Sequence, residues 1–318
     1  MLLLTLALGC APADPDDTQD YVDLTMEHPA PSAEGFQLAP APVVVQPYAD
    51  DTRCWVTTYT GPDVGLTGGD FYQHPDFGHH VIALITTIPE HMMPDGSEYD
   101  CAESDTLNMD ESMPFMLGTP TGVEGDPRNA ELVLPDGVAM LLESGTRLLV
   151  QQHHINYTAE PILVNSAINL TTKPAEEVET FGASFVHTQV DLDLQPGQSK
   201  RIRVSCPFEN DYTMVNLLGH LHEWGTSYSI DYERLDGSIE NIYSVPEWDI
   251  AFRDAPPILN FEPGEFQVKA GEYFHSTCAW YNDTDEVIDF PIEMCATIGM
   301  VYPTTVTDIC VPEVVVLE

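Results

Sequence analysis

Tyr228-Ser229-Ile230-Asp231-Tyr232, then Asp236-Gly237, then Ile239-Glu240-Asn241-Ile242-Tyr243 is the stretch that decides the fold. Apolar and polar residues alternate on both sides of an Asp-Gly pair, which favours the positive-φ turn of a β-hairpin. The same pattern recurs outward along the chain. Cys54-Trp55-Val56-Thr57-Thr58-Tyr59, Arg147 to Ile155, Arg201-Ile202-Arg203-Val204-Ser205-Cys206 and Gln267-Val268-Lys269 read as short strands. Pro94-Asp95-Gly96, Pro135-Asp136-Gly137 and Pro196-Gly197 punctuate them as turns. No amphipathic helix of more than a few turns is legible, and 26 prolines oppose one. The expected fold is all-β, as two tandem jelly-roll-like antiparallel β-sandwich domains.

A boundary falls near Thr172-Lys173-Pro174-Ala175-Glu176-Glu177, where one strand ends before a fresh series begins near His187. The chain therefore divides into a leader over 1–10, an acidic, Pro-rich flexible tether over 11–42, and domains over 43–174 and 175–318. With 43% hydrophobic residues the chain has ample material for a core. Ten Lys and Arg oppose 52 Asp and Glu, a formal net charge of −42. Such a surface repels phosphate backbones and anionic headgroups, which argues against nucleic-acid partners.

The apolar run Met1 to Gly9 ends in Ala7-Leu8-Gly9-Cys10 and is similar to a bacterial lipoprotein signal, although it lacks a basic n-region. Cys10 would then carry the lipid and make the sole membrane contact, placing the protein in the cell envelope or outside the cell. The remaining cysteines, Cys54, Cys101, Cys206, Cys278, Cys295 and Cys310, form an even set that suits three disulfides, with fifteen connectivities open. Three Asn-x-Thr sequons begin at Asn156, Asn169 and Asn282.

Histidines carry the chemistry. In Gly219-His220-Leu221-His222 a strand would put both imidazoles on one face. Met294, beside Cys295, could add a thioether. In Gly78-His79-His80 the adjacent rings would face opposite sides unless the chain is irregular there, which Gly78 permits. In Gln151-Gln152-His153-His154 alternation turns one histidine inward, and the pattern does not choose which. His28, His74, His91, His187 and His275 read as surface or structural.

Together these segments resemble the copper type II, ascorbate-dependent monooxygenases. His79-His80, Val150-Gln151-Gln152-His153-His154, His220-Leu221-His222 and Ile292-Glu293-Met294-Cys295 match that family's motifs in order, from about Val43 to Cys310. The resemblance implies disulfides Cys54–Cys101, Cys206–Cys310 and Cys278–Cys295. It implies an electron-storage copper on His79, His80 and His153 near Gln151, and a catalytic copper on His220, His222 and Met294. Two coppers per chain, with ascorbate or a similar reductant and O₂, would hydroxylate an activated C–H bond of a small organic substrate. Leu218 and Ile298 stand where the peptide-amidating members carry an arginine and a tyrosine, so a less polar or cationic substrate is expected. A monomer is expected. The alternatives are a secreted, non-catalytic copper-binding or scavenging protein and an acidic adhesion module.

Overall fold

The computed structural model describes residues 20–101, 112–114, 119–120, 126, 128–253, 255–290, 292–310 and 312–317. The run ending in Cys10 lies outside the described residues. Among those described, the helical pieces are the short 3₁₀ turns Ala175–Glu177 and Ile250–Arg253. Everything else regular is strand, as the alternation and turn residues predict. The hairpin forms between Gly225–Glu233 and Ile239–Val245, with Gly237 at φ +80 in its turn.

A twelve-stranded sheet runs through both halves, and each half adds its own five-stranded sheet. In the first half, Leu66, Phe71, Ile168 and Leu170 of the long sheet pack on Val81, Ala83, Leu148 and Val150 of the first five-stranded sheet. In the second half, Phe185, Met214 and Leu217 pack on Val204, Tyr228, Phe274 and Trp280. These are face-to-face sandwiches held by inward apolar residues. The halves join where Val138–Leu142 pairs in parallel with Thr180–Gln189. Val215 and Met300 of the second half also enter the first core.

Two expectations change. The strand Arg147–Ile155 is buried on both faces rather than alternating, because Cys54, Val56, Leu84 and Leu149 form a further core on its outer side. The tether over 11–42 is corrected for its later part. Val22–Asp23 pairs in parallel with Ile162–Leu163, and Gly35–Leu38 pairs with Ile168–Thr171. A Pro- and acid-rich segment can still supply ladder hydrogen bonds where a neighbouring edge needs them. The disulfides are Cys54–Cys101, Cys206–Cys310 and Cys278–Cys295.

The halves repeat one plan in detail. Val45-Gln46-Pro47-Tyr48 and Leu194-Gln195-Pro196-Gly197 make the same turn, with φ 57 at Tyr48 and 68 at Gly197. Two residues further, Asp50–Thr58 and Ser199–Pro207 begin. Each pairs with a central strand, Arg147–Ile155 or Tyr273–Tyr281, that is followed at once by Asn-x-Thr-x-Glu. Asn156 Nδ2 donates to Val45 O at 3.1 Å and Glu160 O at 2.9 Å; Asn282 Nδ2 donates to Leu194 O at 2.9 Å and Glu286 O at 2.7 Å. Thr158 and Thr284 donate their N–H and hydroxyl back to the asparagine Oδ1. Both asparagines are fully buried, and Asn169 is nearly so. In the folded chain the sequons are therefore structural staples.

Candidate metal centre

The Gly78–Thr86 strand places His80 opposite His153 and Gly78 opposite His154, so His79 is the extra residue of a β-bulge. The bulge removes the alternation that would have turned His79 away. Gly78 is required there, since a Cβ would stand 2.3 Å from Gln73 Cβ and 2.8 Å from His74 O. His79, His80 and His153 consequently converge. His79 Nδ1 lies 3.2 Å and His80 Nδ1 3.4 Å from His153 Nδ1.

The outward nitrogens have other partners. His80 Nε2 lies 2.9 Å from Gln151 Oε1, an oxygen that can only accept, so Nε2 carries the proton. His153 Nε2 likewise donates to Asp50 Oδ1. The Nδ1 atoms of His80 and His153 then carry lone pairs that face one another. A tetrahedral ion with metal–nitrogen bonds of about 2.0–2.1 Å sets neighbouring donors about 3.3–3.4 Å apart, close to the two distances that His153 Nδ1 makes, and the three ligand atoms lie within 4.8 Å of one another. Burial, with the neighbouring His80 adding to it, pushes the pKa of His153 down to about 4 despite Asp50. The ring is therefore the neutral, metal-competent form at neutral pH. His79 and His80 are half-exposed, so the cluster opens toward solvent.

His154 faces away from the cluster. It is fully buried, with Nε2 3.1 Å from Ser166 Oγ, and burial pushes its pKa down to about 4. Alternation thus gives His153 to the site and His154 to the interior.

The second cluster forms differently from expectation. The Tyr212–His220 strand stops at His220, so His222 lies in the loop beyond it. The rings still meet, with Nε2 of His222 3.1 Å from Nε2 of His220. His222 Nδ1 donates to Ile292 O at 2.9 Å, which leaves its Nε2 as an acceptor. Glu293, fully buried, accepts the backbone N–H of His222 at 2.6 Å, of Met294 at 2.9 Å and of Trp224 at 3.1 Å. Met294 is buried immediately before the Cys295–Tyr302 strand. Among the described residues, the His, Cys, Asp or Glu side chains that could share one ion are His79, His80 and His153.

Sequence reasoning missed Asp50. It stands at a strand start beside a second acid, and nothing local marks it. Glu293 was visible in its motif, but its three amide contacts depend on the folded loop. Of the histidines left outside the clusters, His275 bridges Ser205 Oγ and Glu233 Oε2 at 2.8 Å each, and His187 is buried 3.7 Å from Asp308.

Fold and site define an exported, disulfide-bonded double β-sandwich with a three-histidine cluster in its first half. No family model matches the chain, and no curated protein matches it. Among solved structures, a recombinant peptide:N-glycanase F (PNGase F) is 9% identical, with 88% of this chain and 99% of that one covered, at a TM-score of 0.35. A peptide-N(4)-(N-acetyl-β-D-glucosaminyl)asparagine amidase is 10% identical, covering 87% and 99%, at a TM-score of 0.34.

These comparisons correct the expected family. The matching structures are glycan amidases, and none of the comparisons supports a copper type II monooxygenase, a copper cofactor, ascorbate as co-substrate, or the copper-scavenging alternative. The physical reason is that four motifs of two to five residues specify side chains at a few sandwich positions. They leave the rest of the chain, which determines family, unconstrained.

Proposed function

We propose that this protein binds a borderline divalent ion of the zinc class through Nδ1 of His79, His80 and His153, and uses it in hydrolysis. The short distances from Nδ1 of His153 to Nδ1 of His79 and of His80 carry this reading, together with the proton locks that Gln151 and Asp50 place on the far side of two rings. Three protein ligands are the count found in catalytic zinc sites, which keep one position for substrate. When bound, such an ion supplies Lewis acidity toward an ester or amide carbonyl. The chain's own part is to present three imidazoles, hold two of them by their Nε2 protons, and leave the half-exposed His79–His80 side toward solvent. The surface charge of −42 favours small neutral or cationic substrates over anionic ones.

In this reading the chain acts as a monomer of two units, 43–174 and 175–318, tied to the envelope by lipid on Cys10. His220, His222 and Met294 are a secondary donor set where the Tyr212–His220 strand of the second unit ends.

Calorimetric titration of chelator-treated, disulfide-intact protein with ZnCl₂ tests the proposal. Saturable binding that loses one equivalent in His153→Ala supports it, as does zinc-dependent hydrolysis of a nitrophenyl ester by wild type alone. Absence of saturable binding, or an unchanged isotherm in His153→Ala, overturns it.

A further inference from the structure

The internal repeat separates what the fold needs from what the site adds. Gly78 faces His154 and His80 faces His153, with His79 bulged between. In the second half Gly225 faces Trp280 and Ser227 faces Ala279, with Thr226 bulged in the same way. Glycine and bulge are common to both. The three cluster positions, His79, His80 and His153, correspond to Thr226, Ser227 and Ala279. Asp50, the second residue after the Tyr48 turn, corresponds to Ser199 after the Gly197 turn. All four groups are therefore absent together where the same backbone carries no cluster, and the scaffold does not require an acid at this place.

The geometry points to Asp50 as the positioning residue of the three-histidine site, an inference that rests on the metal reading above. Asp50 faces Ile155 in the ladder and Thr52 faces His153, so Asp50 reaches His153 diagonally across two strands on one face. Its side chain is 55% exposed while that of His153 is 7% exposed. A surface carboxylate thus grips the far nitrogen of a buried ring. Accepting the Nε2 proton fixes the tautomer, turns the lone pair of Nδ1 onto the other two Nδ1 atoms, and makes that nitrogen a stronger donor. Gln151 gives His80 the same restraint without a charge. His153 is thereby the anchored ligand around which the half-exposed His79 and His80 close.

Asp50→Asn, Asp50→Glu and the remote charge control Glu143→Gln distinguish this role from general electrostatics. Asp50→Asn should weaken zinc binding about 10–100-fold, as loss of an outer carboxylate does elsewhere. Asp50→Glu should restore part of the loss, and Glu143→Gln should stay within about twofold of wild type, since an exposed charge that touches neither the ring nor the ion is screened. Zinc binding by Asp50→Asn within twofold of wild type would overturn the Asp50 role while leaving the metal site standing. Absence of saturable binding in wild type would instead remove the metal reading. Nitrogen-15 NMR of the metal-free protein tests the tautomer independently. A proton on His153 Nε2 in wild type, lost or shared with Nδ1 in Asp50→Asn, supports the role; a proton on Nδ1 in wild type refutes it.

Discussion

Glu293 Oε1 accepts the backbone N–H of His222 at 2.6 Å, so a fully buried carboxylate sets the loop that carries an exposed-side imidazole. The cost of burying it raises its pKa, and the three amide donors and the neighbouring His222 offset part of that cost. Both oxygens are used, which makes the residue a clamp on residues 222–224 and on Met294.

Glu293→Ala leaves three amides without their acceptor in a closed site. At about 1–3 kcal/mol for each buried unsatisfied donor, the loss should reach about 3 kcal/mol or more. Urea unfolding measures it. A loss below about 1 kcal/mol would show that the loop is held by other contacts, such as Trp248 Nε1–H to His222 O.

Asn156→Ala and Asn282→Ala should each cost about 2–4 kcal/mol, because each removes a buried group that joins a turn, a strand end and a threonine. The two costs should add within about 0.5 kcal/mol if the sites share no partner. Strong non-additivity in the double variant would mean that the two units unfold through a shared structure.

Gly78→Ala should damage the metal centre more than its small size suggests. The added methyl meets Gln73 Cβ and the carbonyl of His74, so the bulge that turns His79 inward must open. Expected outcomes are a stability loss of about 1–3 kcal/mol, as for overpacking, and zinc affinity lowered at least tenfold. Gly96→Ala is the control, with φ +80 and nothing near its Cβ, and should affect stability alone.

Stability of the metal-free protein should decline on acidification before carboxylates titrate. His154 is held neutral by burial, with the charge of neighbouring His153 acting the same way, at a pKa of about 4 against an ordinary value near 6.5. Between these values the unfolded chain binds the extra proton, so stability is complete above about 6.5 and falls as pH drops toward 4. His154→Gln should reduce that slope, with His153, held near 4 in the same way, supplying the remainder. Urea midpoints from pH 7 to pH 4 in chelator check it, and an unchanged slope would exclude His154 as the source.

The β-class was legible because a period of two and turn residues such as Asp236-Gly237 are local signals, read by the backbone without distant partners. The His79–His80 pair was legible only as a condition: it needed an irregular strand, and the bulge supplies one. The family reading went wrong for a related reason. Motifs such as His220-Leu221-His222 record which side chains are present at a corner and say little about lineage, and even the strand that was to align them ends at His220.

Sequence alone determined the all-β class, the turns, the even cysteine count and the acidic surface, since each follows from residue type and near neighbours. The tertiary structure decided that Asp50 reaches His153, that Glu293 holds the His222 loop, and that three sequon asparagines are buried. Those contacts join residues about 70 to 140 positions apart, so they exist only once strands far apart in the chain pair in register.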